Sequence, residues 1–361
     1  MSLSFTKIND IRTSTDFTYC SFSKHKKIEV KKELIKNMLL KKLNSSIHWV
    51  TELICAGHFL FLWEIILHYL AKYVNIGNPK LPIYILMRFN DFKNIINKRN
   101  YIYELDLRNN LSIRLLFTEV ILNLSISNKK PIFEPIISHK NSNFNIIELN
   151  SLITFPSNFV NNTNNILNND DPQELFTIFT ELSFNIYQKN LSNACYWIDW
   201  IIQYQLYCIK LKEPIICFRR TNIPVLTNYQ NNLIWIIWDI ILSYVDEKTS
   251  PLLQKIVNSL LHLFCIQYKP NLCDSRKYLL FYAVSIITEN VNFNIDIISS
   301  LYKEKIELLL NNIDSYYFEL KKNEITPKTD YLFMNIKEEK EHNLKMSVTK
   351  MEILSNIENK K

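Results

Sequence analysis

The chain has 361 residues, 47% of them hydrophobic and 21% charged, with a net charge of +7. That is ample apolar sequence for a large folded body, and it excludes a mostly disordered chain. There are two glycines, Gly57 and Gly77. They exclude the phosphate-binding loop, the dinucleotide fingerprint, the nucleophile elbow and the kinase loop, each of which needs at least two glycines in one short motif.

Residues 1–30 show no sustained periodicity and predict a flexible basic arm. From Lys31 the apolar positions Leu34, Met38, Leu39 and Leu43 fall on one helical face. That helix is expected to run through Trp49 and Leu53 to Gly57, a natural C′ residue. A second, nearly all-apolar helix is expected over 59–74, ended by Gly77. Asn78-Pro79 then opens a third helix, to about Lys98, and a fourth spans about 110–126. This defines an N-terminal helical domain, 31–128.

Residues 129–171 hold Pro131, Pro135, Pro156 and an Asn run, and predict a linker with short strands at 132–137 and 144–149. Asp171-Pro172-Gln173-Glu174 reads as a helix start with its N-cap and capping-box Glu. Helices are expected at about 172–189, 192–211, 229–245, 251–268, 275–289 and 296–322, a C-terminal helical domain over 172–325. Residues 326–361 form a mixed-charge tail, partly disordered. The fold class is all-α, either two helical bundles or a continuous helical repeat array. Within it, LLKKLNSSIHWVTELI (39–54) aligns without gaps to YQKNLSNACYWIDWII (187–202), matching Lys41, Leu43, Trp49 and Ile54 with Lys189, Leu191, Trp197 and Ile202. Either a helical module is duplicated or two amphipathic helices place Trp alike.

Leu53 to Ala71 is apolar for 19 residues. Glu64 near its middle would cost roughly 2–3 kcal/mol at a bilayer centre, so a buried helix is expected and no membrane span. Seven cysteines without a leader point to reduced thiols in a cytosolic or nuclear setting.

No catalytic, cofactor-binding or metal-ligating residue stands out. Lys24, Lys26, Lys27, Lys31, Lys32, Lys36, Lys41 and Lys42 form a basic stretch that would contact nucleic acid by neutralising phosphates, or else be a solvated face. The pairs Cys208/Cys217 and Cys265/Cys273 are spaced too widely for a zinc site and read as buried thiols. His48, His58 and His68, ten apart, do not share a helical face. Asp199, beside Trp197 and Trp200, and Asp239, beside Trp235 and Trp238, are expected in salt bridges to Lys or Arg, such as Arg219-Arg220. Trp49 and Trp197 are expected in the core, each costing roughly 3–5 kcal/mol when cut to Ala, Trp49 the more.

Residues 48–84, with NACYWIDWIIQY (193–204) and WIIWDI (235–240), resemble a set of uncharacterised proteins of nucleocytoplasmic large DNA viruses. The composition, 43 Asn and 34 Lys against 8 Arg and 4 Ala, suits their A/T-rich genomes. The order Trp49, Ala56-Gly57, an apolar helix, Gly77 and Pro79 is similar to the C-terminal helical collar of clamp-loader-type AAA+ proteins, without an ATPase core before it. These likenesses imply a non-enzymatic scaffold or adaptor, a binding module in viral DNA replication or transcription, or alternatively a minor capsid or other virion protein. They imply other viral proteins as partners, nucleic acid through the basic arm, no cofactor, and a place in the host cytoplasm, viral factory or virion.

Overall fold

The computed structural model describes residues 6–98, 104–132, 144, 153–159, 166–245, 250–298 and 300–326. Twelve α-helices lie among them and no strand, so the fold is all-α. They are α1 (Lys27–Leu39), α2 (Leu43–Cys55), α3 (Phe59–Tyr69), α4 (Leu81–Lys98), α5 (Leu111–Ile126), α6 (Phe176–Tyr187), α7 (Leu191–Lys210), α8 (Ile234–Ser243), α9 (Pro251–Phe264), α10 (Cys273–Thr288), α11 (Lys303–Asn311) and α12 (Ile313–Lys321). A π-helical turn, Leu70–Val74, prolongs α3.

The single helix expected from Lys31 to Gly57 is two, broken at Lys41. Lys41 sits in the left-handed region at φ 54°, and the N–H of Lys42 donates to Asn37 O at 2.9 Å. A glycine would ordinarily mark such a stop, so a lysine turn escapes composition rules. Gly57 does end α2, at φ 77°, and a Cβ on it would meet Leu105. Gly77 matters for a different reason: its Cα passes so close to Asn128 O that a Cβ would lie 2.7 Å from it. Asp171 does not cap a helix. Its carboxylate turns to Arg220 instead, and a 3-10 turn, Gln173–Leu175, leads into α6. The helix expected at 296–322 is α11 and α12, broken at Asn312.

Helices α1–α5 and α6–α10 form two modules with the same plan. In each, the first helix pairs with the second, the second and fourth pack on the fifth, and the third lies against the first, second and fifth. The sequences agree in register. Residues 33–54 match 181–202 at Glu33/Glu181, Leu34/Leu182, Asn37/Asn185, Lys41/Lys189, Leu43/Leu191, Trp49/Trp197 and Ile54/Ile202. In the third helix of each and its C-cap, Trp63, Ile65, Ile66, Leu67 and Tyr69 match Trp238, Ile240, Ile241, Leu242 and Tyr244, with Glu64 opposite Asp239. Asn78-Pro79 and Ser250-Pro251 precede the fourth helices, and Leu115-Leu116-Phe117 and Leu279-Leu280-Phe281 lie in the fifth. Sequence register and helix pairing thus agree between the two modules.

The modules join through α4 against α9, and through α10 against α3 and its π turn. One continuous apolar core runs from Ile8 to Leu320. The division at 129–171 is therefore one of sequence, not of core. Part of that segment is packed: the N–H groups of Lys130 and Ile132 donate to Val74 O and Lys72 O, both at 3.1 Å. The strands expected at 132–137 and 144–149, and the tail beyond residue 326, fall almost wholly outside the described residues.

Residues 6–26 are not a flexible arm. Ile8, Phe17 and Phe22 are buried. The Arg12 guanidinium lies 4.7 Å from the ring centres of both Phe17 and Phe22 and pairs with Asp10 at 2.6 Å. Three apolar side chains repay the ordering of this segment, and they are too irregularly spaced to show as periodicity. The C-terminal α11 and α12 return to the first module, packing on α5 and α2.

Phe59–Gly77 is the one helical stretch among the described residues long and apolar enough to cross a membrane, and two thirds of it is buried inside the protein. Glu64 on it forms an ion pair with Arg276 of α10.

Candidate functional site

The eight lysines of the basic stretch fall on α1, its leading turn and the α1–α2 turn. Lys26 pairs with Glu29 at 3.7 Å and Lys36 with Glu33 at 3.4 Å. The Lys27 ammonium lies 4.5 Å from the centre of the Phe61 ring, and that of Lys41 5.9 Å from Tyr302. Lys24, Lys31, Lys32 and Lys42 have no carboxylate or ring partner of this kind among the described residues. Lys129, at the end of α5, donates to Ser125 O at 2.7 Å. Burial and the like charge of Lys41 lower it to about 8. This end of the first module is thus cationic, with Glu29 and Glu33 set into it.

The arginines are used elsewhere. Arg108 donates to Cys55 O and Asp10 O. Arg114 donates to Arg108 O and Thr6 O and lies 3.7 Å from the centre of the Tyr317 ring. Arg88 pairs with Asp91, and Arg219 donates to Gln230. With Arg12, Arg220 and Arg276, every arginine among the described residues is held by internal partners. An anionic ligand on α1 would meet lysines, which act as point charges without the planar fork of arginine.

Arg220 forms the most buried charge cluster. It grips Asp171 with two nitrogens, at 2.5 and 2.7 Å, and Asp239 with a third at 2.9 Å. Burial pushes Asp171 up, but the Arg220 bonds and the N–H groups of Asn168 and Phe218 outweigh it and hold the carboxyl below 3.8. Burial wins at Asp239, which is raised. Both acids form the salt bridges expected of them, Asp239 with Arg220 at 2.9 Å and Asp199 with Lys277 at 2.7 Å. Both are structural pairs bracing the second module.

The other candidates disperse. Burial pushes the thiols of Cys55 and Cys217 up to about 12 and that of Cys273 to about 11, far from nucleophilic range. His58 Nε2 donates to Cys20 O, 2.8 Å away, while His48 packs edge-on to Trp49 and His68 to Tyr278. Among the described residues no three His, Cys, Asp or Glu side chains gather to hold a metal. A crevice between the modules, lined by Glu64, His68, Ser275 and Arg276, measures about 190 Å³ with its open mouth, below the ~300 Å³ of small-molecule sites.

In the sequence Glu33 reads, with Glu29, only as an interruption of the basic stretch. Its signal is the register with Glu181, six residues before the sixteen-residue match. In the second module Glu181 is 1% exposed and accepts from Thr154 N at 2.9 Å, Thr154 Oγ at 2.6 Å and Phe155 N at 3.2 Å.

No family model matches this chain, and neither a curated protein nor a solved structure does.

Proposed function

We propose that this chain is a non-enzymatic helical scaffold or adaptor of a large DNA virus, a binding module in viral DNA replication or transcription that meets an anionic partner through α1. The observation that carries the reading is the set of Lys24, Lys31, Lys32 and Lys42, which have no carboxylate or ring partner among the described residues, beside arginines that, among the described residues, are all engaged internally. The viral setting rests on the likeness of residues 48–84 and on the A/T-rich composition. Polyanion binding through these lysines is salt-dependent and reads no sequence.

Retention on heparin tests it. The full chain is expected to bind at low salt and elute at moderate salt, and the fourfold Lys→Glu variant at 24, 31, 32 and 42 to flow through. Wild-type protein that passes a low-salt heparin column unretained would overturn the reading.

A virion role is the second reading. Leu301, Leu308 and Phe318, 89%, 64% and 57% exposed on or beside α11 and α12, favour it, because an assembly would cover them. Stoichiometric abundance in purified particles would support it over the first.

A further inference from the structure

The two modules differ at one equivalent surface. In the second, residues 153–159 lie along α6. The Glu181 carboxylate takes the two main-chain N–H groups and the hydroxyl described above, and Asn185 Nδ2 fixes it with a bond to Oε1 at 2.9 Å. The Phe159 ring then packs against Phe184 and Tyr187, with centres 5.1 and 5.5 Å away. The segment is thus held by its backbone at Thr154 and Phe155 and by an aromatic side chain from the 3-10 turn Ser157–Phe159.

The first module keeps the frame and changes the lining. Asn37 Nδ2 donates to Glu33 O at 2.7 Å, as Asn185 Nδ2 does to Glu181 O at 2.8 Å. In place of Phe184, Tyr187 and Gln188 stand Lys36, Leu39 and Leu40. Among the described residues no segment covers them: the Glu33 side chain is 43% exposed and that of Lys36 65%, and Leu40 is 57% exposed. The Glu33–Lys36 pair is an exposed one between neighbouring turns, so it opens at little cost.

We infer that this open face of α1 docks a short acidic segment of a partner protein. Its main-chain N–H groups bond to Glu33, an apolar side chain covers Leu39 and Leu40, and a carboxylate replaces Phe159 at Lys36, with Lys32 beside it. The inference rests on the proposed anion-binding role of α1 and names the partner class. Charge complementarity at Lys32 and Lys36 calls for an anion. The Glu33 carboxylate calls for hydrogen-bond donors, which the main-chain N–H groups of every non-proline peptide residue supply and a phosphate does not. Nucleic acid has no such regular row of donors, and no arginine lies between residues 12 and 88 to read it.

The probe is a labelled peptide of this chain's own residues 151–160 carrying Phe159→Glu, titrated into the full-length protein by fluorescence anisotropy beside a labelled 20-nucleotide single strand. The peptide is expected to bind. Glu33→Gln and Lys36→Glu should each weaken it about tenfold, the scale of one charge-assisted hydrogen bond. Lys36→Phe should shift preference to the unmodified 151–160 peptide. Thermal melts of all three variants should match the wild type, since both side chains are exposed. Peptide binding indifferent to Glu33 and Lys36 would overturn the inference. So would binding of the oligonucleotide alone, strengthened by Glu33→Gln, although α1 would then still be an anion-binding face. If neither probe binds, both readings fall.

Discussion

Lys41 and Lys189 stand at the same step of the two modules with the same left-handed backbone, φ 54° and 58°. Each is followed by an N–H that reaches back to an asparagine carbonyl, Lys42 to Asn37 at 2.9 Å and Asn190 to Asn185 at 2.8 Å. A residue with a Cβ is strained there by about 1–2 kcal/mol, and glycine is not.

Lys189→Gly is therefore expected to stabilise the protein, by about 1 kcal/mol after the glycine's larger entropy loss is subtracted. Chemical denaturation measures it. A destabilised variant would mean that the lysine side chain contributes more than its backbone strain costs.

Truncating the paired tryptophans should give unequal losses. Trp197 is 3% exposed, and Trp197→Ala is expected to cost about 3–5 kcal/mol. Trp49 is only half-buried, edge-on to His25 and His48 at 5.5 and 5.1 Å. Trp49→Ala should cost about 1–2 kcal/mol. This reverses the order expected from sequence, because Trp49 is only partly covered while Trp197 is enclosed. Equal losses in thermal melts would contradict the burial difference.

The Arg220 cluster makes stability depend on acid. Asp171 is held below its ordinary 3.8, so its contribution is complete above that value and is lost as pH falls through the lower folded one. Asp239 is raised, so it opposes folding as pH rises from 3.8 through its folded value. Asp171→Asn should destabilise strongly at neutral pH and progressively less under acid, Asp239→Asn much less throughout. Arg220→Met leaves Asp171 buried and unpaired, at a cost of about 3–5 kcal/mol. Urea titrations at several pH values check all three, and a pH-independent loss in Asp171→Asn would refute the linkage.

Six of the seven cysteines are buried and Cys20 is half-buried, its Sγ 3.3 Å from Asp16 O. A thiol reagent should modify Cys20 first in native protein and the others only on unfolding. Peptide mapping that finds Cys195 or Cys265 modified as fast would contradict the packing of α7 and α9.

The fold was legible where local chemistry and pattern agreed. Pro251, and Asn110 with its side chain accepting from Ser112 N and Ile113 N, open α9 and α5 where the sequence puts them. The turns at Lys41 and Asn312 were hidden because no glycine or proline marks them. The common plan of the two modules showed in sequence only as a short match around Trp49 and Trp197. Its remainder is scattered over segments of unequal length, α7 running on to Lys210 where α2 stops at Cys55, and only common packing aligns them. The basic stretch was visible as composition, but the meaning of Glu33 within it needed the covered counterpart at Glu181.

The two ends of the described chain are tied together. Ile11 N donates to Ile325 O at 3.1 Å, Arg12 to Asn323 O at 3.2 Å and Thr6 Oγ to Asp314 at 3.2 Å. A ribosome making about 5–20 residues per second releases residue 325 roughly 15–60 s after residue 11. For that interval the first module, though synthesised first, lacks the helices that cover α2 and α5. The second module has its covering segment, 153–159, already made ahead of it. On the ribosome the second module thus follows its covering segment, whereas the first waits for its own until residue 325 has been made.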